Sequence, residues 1–322
     1  MEIQLFLDSS EGNIAYEAVV VGEIEWSTER AGVPGKLSFS VVQDEVLQIE
    51  EGNAVRVVAG GENIFFGYIF TIKRDKNKKV SITAYDQLRY LNNKDSCLYE
   101  HETASSLLTK IAQDYQLKIG TIEDTHFILP QKSETNLSLF DMIQNALDQT
   151  LLGTGILYCL YDEFGFLMLK KLEDWKIPIL IDKETSQDFE YTSSIDTDVY
   201  NQIKLTYDNG ETGTREVYLT KNSEDIQRWG VLQYYDTIEE QENGQEKADK
   251  LLELYDTKLK TIKIKGAFGD FRVRAGASVI VSLDLTDTKL ENYMLCEKVT
   301  HKFSNSQHTM DLTLKGRGDF YG

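Results

Sequence analysis

The sequence has few cysteines and few prolines. Of its 322 residues, only three are cysteine and three are proline. The cysteines Cys97, Cys159 and Cys296 are odd in number, lie far apart and lack C-x-x-C spacing. They support neither a disulfide framework nor a zinc site, and they fit folding in a reducing cytoplasm.

Positive charge is also scarce. The chain carries 34 lysines and arginines against 53 acidic residues, for a formal net charge of −19. Such a chain repels the phosphate backbone of DNA, so we expect no specific nucleic-acid binding. The excess of acid keeps the protein soluble, forms an acidic surface that meets a basic partner, or lines a lumen that must not trap nucleic acid. The sequence leaves these interpretations open.

Long apolar runs are missing. No stretch approaches the roughly 20 apolar residues that a membrane span requires. The first residues, Met1–Gln4, lack the basic and apolar regions of a secretory signal. We therefore expect no membrane partner, and a chain that leaves its cell by a route without a signal, such as lysis.

The sequence carries no recognisable catalytic or metal-binding motif. No H-E-x-x-H, G-x-S-x-G or phosphate-loop pattern occurs. The acidic pairs Asp162–Glu163 and Glu239–Glu240 fall in a predicted turn and a predicted helix start, where acids are expected for local reasons. The histidines are His101, His126, His301 and His308. We predict no catalytic residue, no metal ligand and no cofactor.

Strand patterns dominate both ends of the chain. Alternation such as Leu37, Phe39 and Val41 predicts short half-buried strands, and the 17 tyrosines and 14 phenylalanines agree with a strand-rich protein. Residues 1–90 are predicted to form a small β-barrel. Residues 191–322 are predicted to form a second barrel, interrupted by a helical insertion at about 222–260.

The middle of the chain has the helical period. Apolar residues recur at helical spacing from Ala104 to Tyr115 and from Leu139 to Leu151, with Thr103 and Ser138 as N-caps. A hairpin with its turn at 162–165 follows. Residues 91–190 are therefore predicted to be an α+β domain between the two barrels. Thr237 and Glu240 read as a capping box for a third helix that reaches Leu259.

One pattern occurs twice. A glycine enters an alternating strand at Gly52 and again at Gly276. In each case a long strand, a polar hairpin (75–79 or 304–309) and a second alternating strand follow. Either the pattern is shared by chance, since any two β-meanders look alike, or it is a duplication. A duplication predicts two related barrels, so that three copies of the chain could present six similar units around one axis.

Several segments carry a resemblance to a known family. They are Trp26, Arg30–Leu37, Glu51–Val55, Phe66–Phe70, Ile82–Leu91, Thr103–Ala104, Ser138–Leu147 and Tyr161–Gly165. In this order they resemble the XkdQ/YqbQ family of PBSX-type prophage tail proteins, which belongs with the baseplate hubs of contractile phage tails and phage-like bacteriocins. The resemblance covers nearly the whole chain.

The resemblance implies a structural protein of mainly β, α+β class. It implies a homotrimer that joins the sixfold tail tube protein to the threefold spike protein, next to baseplate wedge or tape-measure proteins. The protein would assemble in the bacterial cytoplasm and end in the tail baseplate of the released particle. No lysozyme-like module is expected after Lys315. A peptidoglycan hydrolase, or a carbohydrate-binding tail protein that uses Trp175 or Trp229, remains the alternative.

Overall fold

The computed structural model describes the residues 3–8, 15–42, 49–76, 78–210, 213–238, 243–284, 289–304 and 307–317.

Within these ranges, the first part of the chain forms seven strands. Strands β1 to β7 are Ile3–Asp8, Ala15–Glu17, Ile24–Glu29, Lys36–Val42, Ala54–Ala59, Glu62–Arg74 and Lys79–Tyr85. They pair in the order β2-β1-β5-β6-β7-β4-β3. Their alternating apolar side chains, such as Leu37 and Val41, point to one shared core.

The middle part is an α+β unit with its own core. A 3-10 helix at Gln87–Asn92 leads into β8 (Lys94–Tyr99), α1 (Ala104–Asp114), β9 (Ile119–Ile122), β10 (Lys132–Ser138), α2 (Leu139–Thr154), β11 (Tyr158–Glu163) and β12 (Phe166–Lys171). The side chains of Thr103 and Ser138 accept hydrogen bonds from the backbone amides of Ser106 and Asp141. These caps confirm the predicted starts of both helices.

The chain then enters a second group of strands and leaves it again. Strands β13 (Lys176–Ile181) and β14 (Asp188–Ser194) are followed by β15 (Gln202–Asn209), β16 (Thr214–Lys221), α3 (Ser223–Trp229), β17 (Gln233–Thr237) and α4 (Gly244–Tyr255). Strands β15, β16 and β17 form a separate three-stranded sheet. Helix α4 packs against it through a small core that includes Ile203, Leu205 and Leu251.

The last part of the chain returns to this second group of strands. Strands β18 to β21 are Leu259–Phe268, Ser278–Asp284, Lys289–Ser304 and Gln307–Arg317. Within the described ranges, β14 pairs with β18, β18 with β21, β21 with β20, β20 with β19, and β19 with β13. The core between these strands is separate from that of the first seven.

The structure corrects the predicted extent of the insertion. The strands near Ile203 and Val217 were assigned to the second barrel, but they belong to the β15–β17 sheet. Since Ser194 of β14 lies opposite Leu259 of β18, everything between them, residues 195–258, is inserted. The predicted cap at Thr237 lies in β17, Glu240 lies outside the described residues, and α4 starts instead at Asn243, whose side chain accepts the Glu246 amide.

The mainly β prediction is confirmed, whereas two separate closed barrels are not. Strand β20 is 16 residues long, and its second half pairs with β3, which joins both halves of the chain into one 13-stranded sheet. In the described part of the chain no ladder of strands closes into a ring. The isolated bridge between Val20 and Val41 connects the β2 side to β4.

Candidate assembly interface

Two groups of five strands share one pairing pattern. The first unit is β3-β4-β7-β6-β5 and the second unit is β14-β18-β21-β20-β19. Following the register across the first unit links Trp26, Leu37, Ala84 and Ile69. The corresponding row of the second unit is Tyr191, Ile262, Leu314 and Cys296. The 195–258 insertion therefore takes the place of the short turn between β3 and β4.

The two units also agree in local geometry. Gly52 and Gly276 have φ angles of 90° and 96°, in the left-handed region. The Gly52 amide donates to Ile69 O at 2.8 Å, and the Gly276 amide donates to Cys296 O at 2.9 Å. The register shifts directly after Ile69 in β6 and directly after Cys296 in β20. The pattern seen twice in the sequence is thus one backbone geometry built twice.

Alanine at these two glycines should have unequal effects. Both positive φ angles disfavour an L-residue, which costs about 1–2 kcal/mol. A Cβ at Gly276 would also lie 2.9 Å from Cys159 Sγ and 3.0 Å from the Trp175 ring, whereas no atom of the described residues lies within 4 Å of a Cβ at Gly52. We expect Gly276→Ala to lower the free energy of unfolding more than Gly52→Ala. Urea unfolding of the two variants checks this, and equal losses would contradict it.

The junction of the two units lies between β3 and β20. His301 lies opposite Trp26, and their ring centroids are 4.9 Å apart and nearly parallel. The Arg274 guanidinium lies 5.5 Å from the centroid of the Trp26 ring. Both Trp26 (4% exposed) and His301 (0%) are buried. The rings therefore form the apolar centre of the junction, with polar pairs around them.

Charged pairs flank the buried rings of the junction. Lys298 Nζ lies 2.7 Å from Glu29 Oε1, and Arg30 Nε lies 2.9 Å from Glu297 Oε1. The Lys298–Glu29 pair is half exposed, so its contribution to stability is below about 1 kcal/mol. These pairs fix the register of the two strands more than they stabilise the junction.

A histidine pair completes the second-unit side of the junction. His301 Nε2 lies 2.7 Å from Val273 O, so this nitrogen carries the proton and donates. His301 Nδ1 then accepts from His308 Nε2 at 2.9 Å. Burial lowers the pKa of His301 to about 3 and that of His308 to about 4. Both rings are therefore neutral near pH 7.

A buried carboxyl pair lies where all three parts of the chain meet. Asp86 accepts the Gly35 amide at 2.9 Å, and Asp162 accepts the Gly165 amide at 2.8 Å. Arg274 Nη2 donates to Asp162 O at 2.7 Å. Burial raises the pKa of Asp86 well above its ordinary value and that of Asp162 to about 6. The group links the first unit, the middle part and the second unit.

The face of the joined sheet that points away from the core carries small hydroxyl side chains. Ser40 and Ser81 lie 3.1 Å apart across β4 and β7, and Ser27 and Thr300 lie 3.2 Å apart across the junction. A shallow concavity of about 280 Å³ on this face is lined by Glu23, Glu25, Ser38, Phe39, Ser40, Thr71, Lys73, Ser81, Ile82 and Thr83. The face is polar and continuous across both units.

The structure does not gather the carboxylates and tryptophans singled out in the sequence into one site. Asp162 is buried where the first unit, the middle part and the second unit meet, whereas Glu163 is exposed. Glu239–Glu240 lie outside the described residues. Trp175 is 8% exposed and packs against Tyr161, so it offers no open ring face. Trp229 is half-buried near Lys258 and Arg228.

The histidines and cysteines give a similar result. His101 and His126 are exposed, whereas His301 and His308 form the pair at the junction. No grouping of three or more His, Cys, Asp or Glu side chains that could hold a metal occurs among the described residues, where the three cysteines are unbonded. The junction escaped sequence reasoning because Trp26 and His301 are far apart in the chain.

Helices long and apolar enough to cross a membrane are not found in the described ranges.

The sequence pattern of the YQBQ-like family matches residues 24–315. The protein YqbQ of Bacillus subtilis (strain 168) is 27% identical over 319 residues, which cover 92% of this chain and 95% of YqbQ. The phage-like element PBSX protein XkdQ of the same strain is 27% identical over 270 residues, covering 82% and 81%.

Solved structures share the fold over the whole chain. The 43 kDa tail protein of prophage MuSo2 from Shewanella oneidensis superposes with a TM-score of 0.74 at 14% identity, covering 100% of both chains. The E. coli protein c3393, a type VI secretion component described as structurally similar to the T4 tail proteins gp27 and gp5, gives 0.62 at 10% identity, covering 99% of this chain and 78% of c3393. At these identities the likeness concerns the fold.

Proposed function

The chain belongs to the YQBQ-like family, and from this membership we propose that it is the structural baseplate hub of a phage-tail-like contractile particle. In this proposal it is a homotrimer that joins the sixfold tail tube to the threefold central spike and catalyses no reaction. It assembles in the bacterial cytoplasm and ends in the tail baseplate. The similarity to XkdQ of the phage-like element PBSX and the fold shared with prophage tail proteins support this role.

The observation that carries the proposal is the pair of equivalent five-stranded units in one chain. A sixfold tube ends in six identical surfaces, and a threefold spike offers three. A closed trimer of a chain with two equivalent units matches six surfaces on one side while it keeps threefold symmetry on the other. The predicted division into 1–90, 91–190 and 191–322 is retained in this proposal, with the insertion extended to 195–258.

The two ends of the joined sheet differ in a way that suits two different partners. The β6–β7 and β20–β21 hairpins lie at the same end of the joined sheet. Phe303, next to the β20–β21 hairpin, pairs with Ile24 at the start of β3. Because β4 runs antiparallel to both β3 and β7, the end of β4 and the start of β7, next to the β6–β7 hairpin, lie at this end as well. This end carries the same short hairpin twice per chain, so a trimer presents it six times. We assign it to the tube.

The opposite end carries features that occur once per chain. The 195–258 insertion and the middle part lie there, connected by the hydrogen bond from Lys250 Nζ to Gly153 O at 3.3 Å. The short β3–β4 turn at the same end accepts a hydrogen bond from Cys159 Sγ through Arg30 O. A trimer presents these features three times, and we assign this end to the spike. Wedge or tape-measure proteins would contact the outer surface.

Light scattering of the purified chain tests the proposal. We expect a particle of three times the 36.8 kDa chain mass, and larger complexes after mixing with the tube protein and the spike protein of the same particle. A monomer that binds neither protein would overturn the hub role. Turnover of purified cell wall that is lost on a single Asp or Glu substitution would instead support a hydrolase.

A further inference from the structure

The junction inside the chain provides a template for a junction between chains. Within one chain, β3 of the first unit covers the edge of β20 in the second unit. The strand equivalent to β3 is β14, and the strand equivalent to β20 is β6. In the described part of the chain β14 pairs with β18 and with no other strand, and no strand pairs with the side of Thr71–Lys73 that faces away from β7. Each unit therefore has one edge of the junction left open.

Burial differs at the equivalent positions in the way that an open edge requires. Trp26 and Ile24 of β3 are buried because β20 covers them, but their equivalents Tyr191 and Phe189 in β14 remain half-buried. Val299 in β20 is fully buried, and its equivalent Ile72 in β6 is half-buried. In all three pairs of equivalent apolar side chains, the member with a partner strand beside it is buried and the member at the open edge is half-buried.

We propose that a second copy of this chain supplies the missing strand, so that β14 of one copy pairs antiparallel with the outer edge of β6 of the next. This inference rests on the proposed trimer and specifies how its subunits meet. The internal register gives the pairs: Thr71 opposite Ser194, Ile72 opposite Ser193 and Lys73 opposite Thr192. Three such contacts around an axis close the ring, because each copy offers one β14 and one β6.

Charge supports this register and limits its length. Glu190 lies two residues from Thr192 on the same exposed face of β14, diagonal to Lys73 of the neighbouring copy, within reach of its ammonium group. Continuing the ladder would place Asp75 opposite Glu190, and like charges directly opposite one another are destabilising. Strand β6 ends at Arg74, before this clash. The contact is therefore a short ladder.

A disulfide trapping experiment on the full chain tests the pairing. The double variant Lys73→Cys/Thr192→Cys places cysteines at opposed positions, where a disulfide requires a Cα separation below about 7 Å. All variants carry Cys97→Ser, because Cys97 is the partly exposed native thiol. Under mild oxidation we expect covalent species of two and three chains on a non-reducing gel, and neither single-cysteine variant should form them.

Two matched variants make the result specific. Lys73→Cys/Asp188→Cys keeps the same exposed face but moves one cysteine by four residues, about 13 Å along the strand, and should form no covalent multimer. Ser27→Cys/Thr300→Cys bridges the equivalent junction within one chain and should give a disulfide without any multimer. It shows that the junction geometry and the oxidation conditions permit a bond.

The outcomes separate this inference from the trimer itself. A particle of three chains in which Ser27→Cys/Thr300→Cys closes but Lys73→Cys/Thr192→Cys does not would overturn the strand pairing and leave the trimer standing. Multimers from Lys73→Cys/Asp188→Cys instead would overturn the register. A monomer by light scattering that forms no covalent multimer would overturn both the pairing and the proposed hub.

Discussion

Replacing Trp26 with alanine is expected to lower the free energy of unfolding by about 3–5 kcal/mol, the usual cost of removing a buried Trp side chain. The Trp26 ring is 4% exposed, stacks on His301 and lies under the Arg274 guanidinium. Its loss would leave a cavity where the two units meet and would separate the guanidinium from one of its aromatic neighbours. The unfolding midpoint in urea measures the effect.

Two control variants, one at Trp229 and one at Tyr191, define what Trp26 contributes to the stability of the chain. Trp229 is the half-buried last residue of α3, a helix with no buried residue, so Trp229→Ala should cost roughly 1 kcal/mol. Tyr191 occupies the position equivalent to Trp26 at the open edge and packs only partly buried against its core, so Tyr191→Ala should lower chain stability less than Trp26→Ala while it weakens association. If Trp26→Ala costs no more than Trp229→Ala, the junction does not hold the two units together.

Local patterns made part of this architecture predictable. The alternation of Leu37, Phe39 and Val41 and the helical spacing after Thr103 are set by neighbours in the sequence, so strand and helix could be assigned from them. The glycines Gly52 and Gly276 were also informative, since a left-handed φ strongly favours this residue type. These features predicted that one strand pattern occurs twice in the chain.

Long-range pairing was not predictable from the same patterns. The extent of the insertion depends on Ser194 pairing with Leu259, and the junction depends on Trp26 meeting His301, contacts across 65 and 275 positions that leave no local signal. Thr237, the first residue of the predicted helix cap, is the last residue of β17. Asp162 was predicted to be an ordinary turn residue, because burial raises the pKa values of Asp162 and Asp86 only in the folded chain.

Acid should act on the junction in two opposite directions. The pKa of His301 is about 3 in the folded chain and 6.5 ordinarily, so below pH 6.5 the unfolded chain binds more protons and stability falls as the pH drops. The pKa of Asp162 is about 6 when folded and 3.8 ordinarily, so between these values the folded chain binds more protons and stability rises as the pH drops. His308 adds to the His301 effect.

Single variants are expected to separate these opposing contributions. Between pH 7.5 and 4.5, His301 should destabilise the fold by about 3 kcal/mol and Asp162 should stabilise it by about 2 kcal/mol, at 1.36 kcal/mol per pKa unit. His301→Phe should therefore make the chain less sensitive to acid than the wild type, and Asp162→Asn should make it more sensitive. The free energy of unfolding at both pH values measures this difference.

Each variant serves as its own reference, because the quantity compared is the change in its free energy of unfolding between the two pH values. His301→Phe is expected to be less stable at pH 7.5, because Val273 O loses its hydrogen-bond donor, yet this loss is independent of pH. An equal acid response in wild type and His301→Phe would mean that the buried histidine is not neutral in the folded junction, because a protonated Nδ1 cannot accept the hydrogen bond from His308 Nε2.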